Sequence, residues 1–401
     1  MKNTFCNHTL RFIGAALLSL AIVSCKKKAD PVFEPSANTI TLDCNYFKTN
    51  SNAVLKHNPA LAVDYIVTCK MEIDDDVTIE PGTVISFQEN AGFEINENGS
   101  LASNGTAAEP VTLTGASKTK GYWAGIIFYS NDSKNKLSYT KVEYAGGDKF
   151  NSNDDRGAIV LYGQTQFKMD HCNITNSSTY GLNANYNDAT MTLSNNTYSG
   201  NNVPMTVVSD LINMISGTDS YVGNTNNYVR LVNNISGINV PTVMRKLDVP
   251  YKMEYVSTVP YLEIFSDMSI EPGVIIEFST STGLYVKQTG SLYAVGTVQN
   301  PVIFRGAIKQ AGYWANITYE FTNSVKNQLK NVKIQHAGGD PTETKGAIYM
   351  WAEPTLTLEN VEFSDVLPCA VYAAPSGSNP NNNLTYNTLS YSNCGGQLCG
   401  D

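Results

Sequence analysis

The sequence predicts an all-β protein wound as a solenoid of parallel strands. Three observations carry that expectation. A ten-residue phrase is written twice, "TIEPGTVISF" at 78–87 and "SIEPGVIIEF" at 269–278. Short runs of alternating apolar and polar residues return at near-constant intervals along each copy. The connections between them are rich in Gly, Asn, Asp and Ser, and no long helical pattern interrupts them.

The repeated phrase is a strand, a corner and a second strand. Proline fixes φ at the second position of a tight turn, and glycine supplies the positive φ that a type II turn needs next. Ile79 and Ile270 stand 191 residues apart, and the same shift carries "GSL" at 99–101 onto 290–292 and "GYW" at 121–123 onto 312–314. "AGGD" at 145–148 then matches 337–340 after one inserted residue, and "GAI" at 157–159 matches 346–348. Self-similarity over such a distance is the mark of a tandem duplication.

A finer rhythm lies inside each copy. In the second, Val332 and Ile334, Val361 and Phe363, and Leu389 and Tyr391 form apolar-x-apolar pairs spaced 29 and 28 residues apart. In the first, Val142 and Tyr144 are followed 30 residues later by Cys172 and Ile174, then by Thr197 and Tyr198. Period-two alternation places every second residue on one face. Units of this size cannot each bury a core. Coiled so that each strand pairs with its equivalent in the next coil, they share one apolar column. That is a parallel β-helix, with coils rising ~4.8 Å. Asn173, Asn176, Asn196, Asn201 and Asn360 stand near the corners, where repetition permits stacked side-chain ladders. Antiparallel sandwiches fit less well, because the intervals exceed hairpin spacing.

"VTIEPGTVISF", "GSLASNGTAAEPVTLTG" and "GYWAGIIF" resemble the right-handed parallel β-helix repeats of bacterial envelope proteins in the pectin-lyase-like superfamily. The pattern covers residues 62–202 as one half and 263–401 as the other, the second ending in a C-terminal cap. Residues 203–262 are less patterned and read as connecting coils of one continuous solenoid, with a hinge between two rods as the alternative. Residues 25–61 then hold a linker and the N-terminal cap that covers the first open sheet edge.

The first residues read as a leader. Lys2 and Arg11 flank the start of "FIGAALLSLAIVS", which is too short to span a bilayer as a helix. It ends in "IVSC", which resembles the lipobox of bacterial lipoproteins and implies removal of residues 1–24 and lipid on Cys25. A lipid-anchored protein of the cell envelope, at the outer membrane, is the expectation. Of the remaining cysteines, Cys44 with Cys69 and Cys394 with Cys399 are the pairs expected to form disulfides in an oxidising envelope. No C-x-x-C or H-E-x-x-H occurs, so a zinc site has no support.

A net charge of −9 makes nucleic acid a poor partner. Glu80 and Glu271, at the repeated corner, belong to the shared scaffold, and Trp123 and Trp314, both after "GY", read as scaffold first. An exposed indole there would still stack on a sugar face. Trp351 matches a tyrosine, Tyr162, in the other copy ("AIYMW" against "AIVLY"), so Tyr162, Tyr349 and Trp351 are the expected stripe of ligand contacts, with Trp123 and Trp314 as further binding candidates. Cys172 reads as a small buried hydrophobe and His171 as surface.

The resemblance also implies an enzymatic alternative, since this fold hosts polysaccharide lyases and glycosidases. Asp154, Asp155 and Arg156, in "NSNDDRG", are the candidate catalytic cluster, and calcium enters only under that reading. A solvated acidic turn explains the same letters. The paired arginines of pectate lyases cannot occur, because Arg156, Arg230, Arg245 and Arg305 are far apart. The Gly-His-Gly and Arg-x-Lys elements of polygalacturonase-like hydrolases are absent as well. The first functional expectation is therefore a non-catalytic envelope protein that presents a lateral surface to a glycan or another protein. A divergent lyase or hydrolase of uronic-acid polymers is the second, and a structural spacer the third.

Overall fold

The computed structural model describes residues 38–186, 188–233, 236–254, 259–339, 345–375 and 383–400. All of them fall in one compact unit, Val32–Asp401. The leader expected at 1–24, and the lipidation expected at Cys25, lie outside the described residues. One helical turn, Tyr46–Thr49, and one 3-10 segment, Ser209–Met214, are the only helices described. Everything else regular is strand.

Among the described residues every strand pairing is parallel, and it joins a strand to its equivalent one coil further on. Tyr65–Val67 pairs with Val84–Phe87, that strand with Val111–Gly115, and that with Thr140–Glu143. Strands on the other faces do the same, giving sheets of seven, sixteen, six and six strands. A chain that turns three corners before meeting its own previous strand is wound as a parallel β-helix. The alternation in the sequence becomes an inward column. Met71, Phe93, Ile126, Ile159, Leu182, Met205, Val229, Tyr251, Ile276, Phe304, Ile334 and Phe363 stack in register, all buried. Burying one such side chain contributes about 1.5–3 kcal/mol, and neighbouring coils bury each other's.

The corners obey the local chemistry. Gly82 and Gly273 hold φ of +79° and +82°, and the amides of Thr83 and Val274 donate back to the carbonyls of Glu80 and Glu271 at 3.3 Å. This is the tight turn that Glu-Pro-Gly predicts. Elsewhere asparagine takes the left-handed corner: Asn331 and Asn360 have φ of +50° and +53°, and the Asn360 amide donates to Asn331 Oδ1 at 2.7 Å. The asparagine ladders expected from the sequence otherwise run from side chain to backbone. Asn196 and Asn201 are buried and accept the amides of Cys172 and Ser177 in the coil below, each at 2.9 Å.

Register departs from the sequence reading in the first copy. The second-copy pairs stand as spaced, Val332 on Val361 and Val361 on Leu389. In the first copy Val142 pairs with Ile174, not Cys172, and Ile174 pairs with Tyr198. Cys172 instead lies beside the Thr140 amide, 3.4 Å from its sulfur. Alternation fixes which side faces inward, and a slip of two residues preserves it.

The joint between the copies holds the least predictable feature. The sixteen-stranded sheet runs unbroken from Tyr180–Ala184 through Val203–Val208, Val229–Val232 and Tyr251–Glu254 to Ile275–Phe278. Yet Ile275–Phe278 is the copy of Val84–Phe87, which belongs to the seven-stranded sheet. Gly283–Val286, the copy of Gly92–Ile95, lies in a different sheet from its original. The second copy is therefore set one face round relative to the first.

The N-terminal edge is closed by residues 38–55. Phe47 is buried against Phe93, ring centroids 6.0 Å apart, and Cys44 is bonded to Cys69. At the other end Cys399 is bonded to Cys369, one coil below it, and not to Cys394. Cys394 ends a strand opposite Val366, while Cys399 lies round the next corner opposite Tyr372. Closeness in sequence loses here to stacking between coils.

One polar device occurs in both copies. Asp76 accepts Ser100 Oγ at 2.7 Å and Lys134 Nζ at 2.7 Å. Asp267 accepts Ser291 Oγ at 2.6 Å and Lys326 Nζ at 2.5 Å. Lysine and serine hold both carboxyls below the ordinary aspartate range. A carboxylate depressed in the folded state contributes stability that is present above its unfolded value, about 3.9, and lost as pH falls through the folded value. In urea titrations at several pH values, the Asp76→Asn, Asp267→Asn double variant is expected to be less stable than the wild type at pH 7. That gap should close as the pH drops below about 4, and a gap constant with pH contradicts this account of the pairs.

Candidate functional site

Trp123 and Trp314 leave the list of ligand contacts. Both are fully buried. Trp123 stacks on Phe87 at 3.9 Å and Trp314 on Phe278 at 4.1 Å. Each indole N–H donates to a backbone carbonyl at 2.8 Å, of Glu143 and Gln335 respectively. A duplicated sequence has kept a duplicated internal contact, and no sugar reaches either ring.

The Asp154–Arg156 loop is not a wholly solvated turn. Exposed Asp154 grips Arg156 in a two-point ion pair, at 2.7 and 2.8 Å. Asp155 is buried and accepts the Asn151 amide and the Tyr186 hydroxyl, both at 2.8 Å. Lys70 ties down the other end of the loop through Asp148 at 2.8 Å, and Asn183 donates to the Arg156 carbonyl at 3.0 Å. The outward-facing Ile127 and Val160 of the same sheet are fully buried.

The expected stripe of Tyr162, Tyr349 and Trp351 is two sites. The one-face offset at the joint puts Tyr162 on the sixteen-stranded sheet, and Tyr349 and Trp351 on the six-stranded sheet that begins at Tyr261–Ile264. Tyr285, Thr318, Tyr349 and Tyr372 stand in one outward column of that sheet, with Glu320 and Trp351 paired in the next. Tyr285, Glu320, Tyr349 and Trp351 line an open groove of about 200 Å³. Trp351 is 42% exposed, its ring edge-on to Phe321 at 5.0 Å. Tyr349 is only 7% exposed; Lys345 lies over it and over Tyr372, 5.8 and 5.4 Å from the ring centroids. Lys287 sits 3.3 Å above the Tyr285 ring and pairs with Glu263 at 3.3 Å and Glu320 at 3.1 Å. The charges are thus largely balanced within the groove, and the indole is its open apolar surface.

Tyr162 belongs to a ladder that sequence reasoning missed. Its ring lies between Tyr129, 4.9 Å away, and Tyr186, 4.1 Å away, on the coils to either side. Tyr129 and Tyr162, with Glu97, Asn98, Asn131, Gly163 and Gln164, line an open groove of about 450 Å³. Burial beside the sheet pushes the Tyr129 hydroxyl up, and it pushes the nearby Glu94 carboxyl up against the pull of Lys70. The coil interval was the available signal: Tyr129 and Tyr186 each stand about one winding from Tyr162.

Other candidates recede. A groove of about 400 Å³ near Val243 and Tyr293 has as its charged lining Asp267 and Lys326, already paired. Cys172 is buried and its thiol is pushed up to about 12 by burial, which removes it as a nucleophile. His171 is exposed, stacked on Tyr139 at 4.6 Å. Among the described residues no group of three or more His, Cys, Asp or Glu converges as a metal site.

The two kinds of tryptophan predict opposite phenotypes. Trp123→Ala is expected to lower the unfolding free energy by roughly 3–5 kcal/mol, whereas Trp351→Ala should stay within about 0.5 kcal/mol, both read from urea denaturation. Comparison of the chain with protein-family models, with curated proteins and with solved structures returns no match.

Proposed function

We propose that the chain is a non-catalytic glycan-binding protein of the bacterial cell envelope, held to the outer membrane by lipid on Cys25 and presenting the lateral sheets of a right-handed, pectin-lyase-like β-helix. The observation that carries the binding reading is Trp351, a large indole held open to solvent on a sheet face. Tyr285, Tyr349 and the Glu320 carboxylate border the same groove. Aromatic rings pack against the C–H face of a pyranose, and a few fixed polar groups orient its hydroxyls. A rigid sheet holds such contacts better than a mobile loop.

The lyase or hydrolase alternative loses its support at the residues that suggested it. Asp154 and Arg156 neutralise each other, and Asp155 is buried under Tyr186. The lipid anchor rests on the "IVSC" motif alone. The spacer reading has no use for the exposed indole.

A glycan array and affinity electrophoresis in gels cast with single polysaccharides test the binding reading. At least one glycan is expected to retard the protein, and Trp351→Ala should weaken that binding about tenfold or more, equivalent to about 1.4 kcal/mol. Retardation unchanged by the substitution, or absent with every glycan, would overturn it.

A further inference from the structure

We infer that the protein is divalent: the Tyr129–Tyr162 groove is a second binding site for a neutral hexose polymer, and the two sites cross-link separate chains. The inference rests on the glycan reading of the Trp351 groove and extends it to a site on another face.

The second groove has the makings of a saccharide site. Two tyrosine rings form its wall, 4.9 Å apart on successive coils. The carboxamides of Asn98, Asn131 and Gln164 and the carboxylate of Glu97 provide donors and acceptors at its rim, all exposed. Amides that both donate and accept suit sugar hydroxyls, which do the same. Among the described residues lining it there is no lysine or arginine. With Glu97 in the groove, a uronic-acid polymer meets like charge and no counter-charge, so the fitting ligand is neutral.

Position then sets valency. Tyr162 and Trp351 are equivalent residues of the two copies, each just beyond or at the end of the strand that follows "GAI". Had the duplication continued in phase, they would share one face and one polymer chain would cross both. The offset at the joint places them on sheets separated by a corner of the coil. Seven pairing steps separate their levels, about 34 Å along the axis at the interstrand spacing. A straight polymer lying in one groove passes the other by. Two chains satisfy both.

The test uses calorimetry with short neutral oligosaccharides cut from mixed-linkage β-glucan, α-mannan and galactan, and light scattering with the intact polymers. Polygalacturonate serves as the acidic control. The wild type is expected to bind two oligosaccharides per chain and to raise the scattering of the matching polymer. Tyr162→Ala and Trp351→Ala should each leave one site, with binding at the altered site weakened about tenfold or more, and each should abolish the scattering rise. Because Tyr162 is packed between two rings, the exposed pair Asn131→Ala, Gln164→Ala is measured beside it and should give the same result. A stoichiometry of one in the wild type, lost with Trp351→Ala, overturns the second site and leaves the glycan reading standing. No binding of any neutral oligosaccharide by the wild type overturns the second site, failure with every glycan of the array overturns the glycan reading as well, and tight binding of polygalacturonate at the Tyr162 groove contradicts the charge argument.

Discussion

The structure depends on in-register stacking of one coil on the next. Parallel backbone pairing fixes the ~4.8 Å step between coils, and the inward column from Met71 to Phe363 fixes which residue sits above which. Neither suffices by itself. Backbone pairing alone tolerates slippage, and apolar columns alone do not set spacing. Together they commit each coil to its neighbour, and the outward positions inherit the order of the inward ones. That inheritance aligns Tyr129 with Tyr162 and Tyr349 with Tyr372.

Duplication separates scaffold from surface. Contacts present twice are structural: the Phe87–Trp123 and Phe278–Trp314 stacks, the Asp-Ser-Lys pairs, and Asn135 and Asn327, each accepting a leucine amide of a neighbouring coil at 3.1 and 3.0 Å. At the outward face the copies diverge. Glu320 occupies the place of Tyr129, and Trp351 that of Tyr162. The interior has been held while two equivalent surfaces acquired different chemistry. Setting the second copy one face round points those surfaces in different directions.

Much of the fold was legible in the letters. Glu-Pro-Gly predicted its corner, and the 29- and 28-residue intervals of the second copy predicted its register. Alternation predicts facing and is blind to a slip of two, which is why Cys172 was matched to Val142 when Ile174 is the true partner. The face offset was hidden for a similar reason. Residues 203–262 lack strong alternation, and the offset arises there. Site residues were less legible. A sequence does not say whether an aromatic after "GY" points in or out, and Trp123 is decided by the Phe87 ring that meets it. Asp155 looked like a solvated acid because its partner Tyr186 lies a winding away. Cys399 was assigned its nearest cysteine in sequence, whereas the coil brings it to Cys369.

A distance across the joint measures the common spine most directly. Outward positions Glu72 and Gln335 lie in one column of the sixteen-stranded sheet, ten pairing steps apart, one in each copy. Spin labels on cysteines introduced there, read by pulsed double electron–electron resonance, should give one narrow distribution near 48 Å, the span of ten interstrand steps. A broad distribution, or one centred well away from that value, would mean two bodies hinged between residues 203 and 262, and the shared column would not exist.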